Sequence, residues 1–288
     1  MVNFRLLFLI LCFILFSKIV LMGSLYEGFD LNTKKGSELG QAKALGGATS
    51  YGWMSSWQQG RSKAEFSKED LHFEALASSG GSVKIIGERK ESHIGKGYLL
   101  RQTDTAYSGT VYGSFRLKPG FFNKESVFGL VFSLPNVEEV SPKNGIFSIC
   151  PKRWGGALGM IGAKGRNYKV VDGIPCEKGQ KYLVVWKLSN LPMIGEASDL
   201  SMKFWVLNEA QVEYFAQCNF AENQLNLAEP GSAANEVCQF GRQDLKESKR
   251  SLYKGIVLIP FVYNVTNVLM DEFRIVSTNF ADAVGFSN

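Results

Sequence analysis

Residues 182–188 have the sequence YLVVWKL, in which an apolar or aromatic residue stands at every second position. Side chains of a β-strand point alternately to the two faces of a sheet, so Val184 and Trp186 are predicted to share one face. Residues 111–117 and 200–206 show the same alternation. Further strands are predicted over 83–86, 98–100, 127–134, 146–150, 255–263 and 268–277.

Turn-forming residues lie between these predicted strands, as at 134–136 and 142–145. Many short strands separated by turns are typical of two packed antiparallel sheets. The predicted fold is therefore all-β, an antiparallel two-sheet sandwich in a single domain over residues 25–288. Because the termini of compact domains commonly lie close together, residues 25–31 and 268–277 are predicted to be strands in the same sheet or at the same end.

One long segment, residues 208–254, interrupts the strand pattern with mostly polar sequence. A loop of this length without secondary structure is uncommon in a compact domain. Asn208 is suited to cap a helix, and Val212, Phe215 and Ala216 lie on one face of such a helix. The segment is therefore predicted to be a partly helical insertion in the sandwich.

The first 24 residues differ from the rest of the chain. Arg5 precedes an apolar run over 6–16, which predicts a signal peptide and a secreted, periplasmic or cell-surface location. The alternative is an uncleaved membrane anchor, which Lys18 opposes because a cation within a membrane span is costly. Removal of Arg5 and Lys18 lowers the net charge from +5 to +3. The small, scattered positive charge of the mature chain is typical of a solvated surface and does not predict nucleic-acid binding. No stable membrane span is predicted once the signal peptide is cleaved.

Four cysteines remain after this predicted cleavage, and an even number in an exported chain suggests two disulfides. Three pairings are possible, and four free thiols are the alternative. Proximity along the chain favours Cys218 with Cys238 and Cys150 with Cys176. The first bond would close a loop of about 20 residues and stabilise the polar insertion by roughly 3 kcal/mol.

Several motifs occur in the order found in one known family. They are 26–30 (YEGFD), 46–47 (GG), 52–57 (GWMSSW), 182–188 (YLVVWKL), 204–208 (FWVLN) and 271–275 (DEFRI). Over residues 25–282 the chain resembles LamG, or concanavalin A-like, jelly-roll domains of exported bacterial proteins known from planctomycetes and verrucomicrobia. The resemblance implies a two-sheet jelly roll that often binds carbohydrate. The 208–254 insertion departs from the family's shorter connection.

Catalytic signatures are absent from the sequence. Hydrolases with this fold use carboxylates two positions apart on one strand, and no such pair occurs here. No G-x-S-x-G is present, and neither His72 nor His93 is paired with a serine by its sequence context. No catalytic residue is therefore predicted. The favoured function is a non-catalytic module that binds a polysaccharide, a cell-surface glycan or another surface partner. The alternatives are a polysaccharide-acting hydrolase or lyase, and a structural or adhesive protein without a small ligand.

Four side chains are candidates for ligand binding because the alternation directs them away from the predicted core. Lys203 and Trp205 lie on one strand, and Tyr112 and Arg116 lie on another. Outward aromatic and polar side chains can stack against a sugar ring and form hydrogen bonds with it. The alternative, which we favour, is that the 208–254 insertion covers these residues.

Three further residues are assigned structural roles. Trp53 and Trp57 are predicted to anchor the N-terminal segment in a satellite core. Asp271 is predicted to share a face with Phe273 and Ile275 and to accept backbone N–H groups of a neighbouring loop.

No cofactor is predicted. The alternative is calcium, since calcium takes oxygen ligands and the Asp271 carboxylate could supply one. On the opposite face of the same strand, Glu272 and Arg274 are predicted to form a solvated ion pair that contributes little to stability.

Overall fold

The computed structural model describes a defined set of residues. They are 24–29, 51–52, 58–59, 63–78, 80–86, 99–102, 107, 109–120, 127–133, 147–151, 157–162, 174–175, 177–191, 201–226, 236–239, 257–263 and 267–286. Their strands are β1 (Leu25–Glu27), β2 (Gln58–Gln59), β3 (Lys63–Ser67), β4 (Ser82–Ile86), β5 (Leu99–Gln102), β6 (Gly109–Pro119), β7 (Val127–Ser133), β8 (Phe147–Pro151), β9 (Ala157–Gly162), β10 (Ile174–Pro175), β11 (Tyr182–Leu191), β12 (Ser201–Leu207), β13 (Glu236–Gln239), β14 (Val257–Tyr263) and β15 (Asn267–Val276). Their helices are α1 (Glu209–Gln217), α2 (Glu222–Asn226) and α3 (Phe280–Val284).

The strands form two hydrogen-bonded sheets with antiparallel pairings. One sheet has the order β13-β12-β11-β6-β15-β4-β3, and β1 also pairs with β15. The other has the order β10-β9-β8-β7-β14-β5-β2. The predominance of antiparallel strands confirms the all-β prediction, and each of the predicted strands overlaps an observed one. The strands that were not predicted are short, and all but β3 (KAEFS) lack a clear alternation of polar and apolar residues.

The two terminal segments lie side by side, as predicted. Leu25 pairs with Ile275, and Glu27 pairs with Phe273. The N-terminal strand β1 ends at Glu27, which is earlier than the predicted limit of residue 31. The first described strand is therefore hydrogen-bonded to the last one.

The predicted helix after Asn208 is confirmed. The Asn208 side chain accepts a hydrogen bond from the Gln211 amide, and the Gln211 side chain accepts one from the Asn208 amide. This reciprocal capping box satisfies two amides that the helix leaves unpaired. Val212 and Phe215 are buried on one face of α1. Helices α2 and α3 were not predicted, because five residues are too few to show a helical period.

The eight-stranded sheet has two differently covered faces. The inner face, defined by Val111, Phe115, Val184 and Trp186, is buried. Gly113 lies opposite Trp186, and a Cβ at Gly113 would lie 1.9 Å from the indole ring. Glycine at this position therefore makes room for a fully buried tryptophan.

The outer face of the same sheet carries a second hydrophobic cluster. Helix α1 packs against β11 and β12, and α3 packs against β6, β11 and β15. The buried members of the cluster are Phe73, Leu76, Leu183, Val185, Trp205, Leu207, Val212, Phe215, Phe220, Leu225, Phe280 and Val284. The insertion is therefore ordered at its start by apolar packing onto the sheet.

Strand β15 contains a bulge that changes the predicted faces. Asp271 pairs with Arg116, but the next paired residue is Arg274, which pairs with Ser114. Glu272 at the bulge has a positive φ of 50°. The prediction that Asp271 shares a face with Phe273 was wrong, because the extra residue places Asp271 on the outer face beside Arg116. Phe273 lies on the inner face, where its ring stacks with that of Phe115 at 6.5 Å.

The predicted disulfide between Cys218 and Cys238 is not present, since Cys218 is a free cysteine at the C-terminal cap of α1. Buried apolar residues on α1 and α2 hold this part of the insertion, so no covalent link is needed to order it. Cys176, Trp53 and Trp57 lie outside the described residues, and the pairing of Cys150 with Cys176 stays a prediction. Among the helices that are described, none is long and apolar enough to cross a membrane.

Candidate functional site

The four predicted ligand-binding residues do lie on one face, in neighbouring rows. Tyr112 and Lys203 both pair with Lys187, whereas Trp205 pairs with Val185 one row further along. Arg116 pairs with Leu183 in the row after that. The sequence therefore predicted the shared face correctly, but the rows differ greatly in their exposure.

Trp205 is fully buried beneath the insertion, as the favoured alternative proposed. Its side chain is 0% exposed and packs edge-on against Phe280 at 5.2 Å. Its indole N–H donates a 3.0 Å hydrogen bond to the Leu225 carbonyl, just before the end of α2. Trp205 is thus an anchor for the insertion, and its side chain is not exposed for ligand binding.

Arg116, which was also predicted to bind a ligand, is fully buried as well. It lies under residues 69–78, here called the strap, which connect β3 to β4 across the outer face. The guanidinium donates to the carbonyls of Leu71, at 3.4 Å, and Ala77. Burial lowers the pKa of Arg116, and the neighbouring carboxylates oppose this effect. Its role is to hold the strap on the sheet.

Asp271 completes this attachment from the next strand. Its carboxylate accepts from the amides of Leu71, at 3.3 Å, and Glu272, at 2.8 Å. This is the structural role predicted for it. Burial, together with the charge of Glu272, raises the pKa of Asp271 well above its usual range, while Arg116 acts in the opposite direction.

Glu272 and Arg274 form an ion pair, but it is not solvated as predicted. Their closest atoms lie 2.8 Å apart, and the Glu272 side chain is 1% exposed. The Glu272 carboxylate also accepts from the Tyr26 hydroxyl at 2.9 Å. The Arg274 guanidinium lies 4.2 Å from the centroid of the Tyr26 ring. A Cβ at Gly285 would lie 2.7 Å from the same guanidinium.

One group of polar side chains on the outer face is only partly covered. Tyr112, Lys187 and Lys203 form a cross-strand row on β6, β11 and β12, here called the polar row. In the adjacent row Ser114, Val185 and Trp205 are buried, whereas each member of the polar row is half-buried. The helices therefore cover the outer face only partly at the polar row, and this row is the candidate functional site.

A carboxylate from the insertion contacts the polar row. Glu222 at the start of α2 lies 2.6 Å from Lys187, and the two side chains are 32% and 18% exposed. The Tyr112 hydroxyl donates to the other carboxylate oxygen of Glu222 at 3.5 Å. The Lys187 ammonium lies 5.4 Å from the centroid of the Tyr112 ring, and Phe280 packs edge-on against that ring.

Sequence reasoning missed both Lys187 and Glu222. Lys187 lies within the 182–188 motif, whose alternation places it on the face opposite Trp186. Knowledge of the register between β6 and β11 would have shown that it pairs with Tyr112. Glu222 carries no such signal, because a five-residue helix in a polar insertion has no recognisable pattern. No group of three His, Cys, Asp or Glu that could hold a metal ion occurs within the described part of the chain.

Comparisons with known proteins give structural matches only. No protein-family model matches this chain, and no curated protein matches it. The similar solved structures include lectin II from Ulex europaeus, at 9% identity and a TM-score of 0.41, covering 88% of this chain and 97% of that one.

Two further structures are similar to a comparable degree. The alginate lyase Aly36B has 10% identity and a TM-score of 0.42, with coverage of 90% and 98%. A protein of unknown function from Shewanella oneidensis MR-1 has 9% identity and a TM-score of 0.44, with coverage of 90% for both chains. TM-scores below 0.5 at such identities establish neither a family nor a function.

Proposed function

We propose that this protein is an exported, non-catalytic module of the LamG-like jelly-roll type that binds glycan through the polar row. The single observation that carries the proposal is the position of Tyr112, Lys187 and Lys203 along the line where burial of the outer face ends. The proposal moves the predicted binding site away from Trp205 and Arg116 and keeps Tyr112 and Lys203.

The stacking of the two sheets into a sandwich is supported by the burial of the inner face. Phe115, Val184 and Trp186 are 0% exposed on that face. The helical cluster covers the outer face, so another layer must cover the inner one. A β-sheet buries its apolar face against a second layer, and the seven-stranded sheet is the layer available for this role.

The chemistry of the polar row suits a sugar. An aromatic ring supports stacking, while a phenol and two ammonium groups supply hydrogen-bond donors for hydroxyl or carboxylate oxygens. All three side chains project from adjacent strands, which are more rigid supports than loops. Phe280 packs against the Tyr112 ring and fixes its orientation.

The hydrolase alternative requires two carboxylates facing each other across an open groove. Asp271 and Glu272 are adjacent acidic residues on the outer face of the sheet, and both are buried. Leu71 of the strap donates to Asp271, and Tyr26 and Arg274 contact Glu272. These two side chains are therefore not placed to reach a polysaccharide, which argues against a hydrolase that would use this carboxylate pair.

The test is a glycan array followed by calorimetry with matched variants. We expect Lys187→Ala to weaken glycan binding at least tenfold, a loss of about 1.4 kcal/mol in binding free energy. Lys118→Ala is the control. Lys118 lies on β6, like Tyr112, but six residues further along the strand, and it forms an ion pair with Glu69 of the strap. Equal loss in both variants, or no binding by the wild-type protein, would contradict the proposal.

A further inference from the structure

Glu222 occupies the polar row in the manner of a bound acidic ligand. One carboxylate oxygen lies 2.6 Å from the Lys187 ammonium, and the other accepts from the Tyr112 hydroxyl at 3.5 Å. Lys203 is the cross-strand neighbour of Lys187 on the other side. The row thus holds a carboxylate between a phenol and an ammonium group.

We infer that the natural ligand is an acidic glycan whose uronate carboxylate replaces Glu222 on Lys187 and Tyr112. This inference rests on the proposed glycan-binding role of the polar row and names the ligand class for it. Glu222 then acts as an internal competitor, which keeps the two donors paired while no ligand is bound. A neutral sugar brings no carboxylate and cannot restore the ion pair that it would break.

The position of Glu222 allows this exchange. Its side chain is 32% exposed, and it belongs to a five-residue helix whose fully buried apolar residue is Leu225. The opposing Lys187 is on a long central strand of the sheet and remains in place. Movement of the Glu222 side chain alone would free the ammonium, without disturbing the packing of Trp205 under Leu225.

Internal competition has a measurable consequence. A protein whose binding-competent state is populated only a fraction of the time has an apparent affinity reduced by that fraction. If the pair is closed about nine-tenths of the time, opening it permanently raises the affinity about tenfold. Attraction between an ammonium and a carboxylate also weakens as salt is added.

The experiment measures binding of the full chain to polygalacturonate, hyaluronan and fully methyl-esterified galacturonan. The last polymer has the same backbone as the first but no charge. We expect the wild-type protein to bind an acidic polymer and Glu222→Gln to bind it about five- to tenfold more tightly, with affinity falling as salt is added. Glu69→Gln is the matched control, since it removes the charge of Glu69 from a lysine–glutamate pair outside the polar row and should leave the affinity unchanged.

The outcomes separate the ligand class from the proposed function. Weaker binding of acidic polymer by Glu222→Gln, with unchanged thermal unfolding, would overturn the inference, because Glu222 would then assist the ligand. Binding of the esterified polymer as strongly as the acidic ones would overturn the ligand class and leave glycan binding intact. If the protein binds none of these polymers but binds neutral glycans on the array, only the inference fails. If it binds no glycan, both proposals fail.

Discussion

The outer face of the eight-stranded sheet carries basic and acidic side chains at two places, which differ in their exposure to solvent. Under the strap, Arg116 and Asp271 are fully buried, and their hydrogen bonds go to backbone groups of Leu71 and Ala77. At the polar row, Lys187 and Glu222 remain partly exposed and pair with each other. The difference teaches that charges buried under the strap serve to hold its backbone, whereas the half-buried ion pair remains partly exposed to solvent.

The largest expected effect is at the buried Arg116. Arg116→Met would leave the Asp271 carboxylate buried without its cationic neighbour and two strap carbonyls without a donor. Each buried acceptor left unsatisfied costs about 1–3 kcal/mol, so we expect the free energy of unfolding to fall by about 2–5 kcal/mol. Urea denaturation measures it. A loss no larger than that of Lys118→Met would show that Arg116 does not hold the strap.

Two glycines allow the cost of backbone strain to be measured separately from the cost of crowding the Arg274 side chain. Gly285 and Gly179 both have positive φ, 73° and 81°. A Cβ at Gly285 would meet the Arg274 guanidinium, whereas one at Gly179 meets nothing within 4 Å. Both alanine variants should lose roughly 1 kcal/mol to strain. Gly285→Ala should lose about 1–2 kcal/mol more, because Arg274 must move. Equal unfolding midpoints for the two variants would refute this crowding.

The raised pKa of Asp271 predicts a pH-dependent stability. Between its ordinary value of 3.8 and its raised value, the folded protein binds more protons than the unfolded chain does. Stability therefore falls as pH rises through that window, by at most about 1.4 kcal/mol per pH unit for one group. Asp271→Asn should remove this slope. Unfolding curves measured across the window test it, and a slope unchanged in the variant would assign the pH dependence to other groups.

The smallest effect on stability is expected at the polar row. Lys187→Met removes a partly exposed ion pair, and such pairs typically contribute about 0–1 kcal/mol. The unfolding free energy should therefore change by less than about 1 kcal/mol, while glycan binding is lost. A destabilisation comparable to that of Arg116→Met would show that the Lys187 ion pair stabilises the fold as much as the buried Arg116 does, and would contradict the proposed difference between them.

The sequence was sufficient to place most strands and the capped helix, because alternation and capping are local. It also placed Tyr112, Lys203 and Trp205 on one face. What covers that face depends on tertiary packing, so the burial of Trp205 beneath Leu225 was only one of two alternatives. The bulge at Glu272 left no local signal, and one extra residue was enough to move Asp271 to the other face.

The pairing of the first described strand with the last has a consequence for how the chain folds during synthesis. Strand β15 lies between β6 and β4 and also pairs with β1, so it joins both halves of its sheet. Tyr26 and Glu272 are 246 positions apart. At about 5–20 residues per second, a ribosome needs roughly 12–50 s to synthesise that interval. Strand β1 lacks its neighbour throughout that time, and β4 and β6 lack it from their own synthesis onward, so this sheet can be completed only when translation is almost finished.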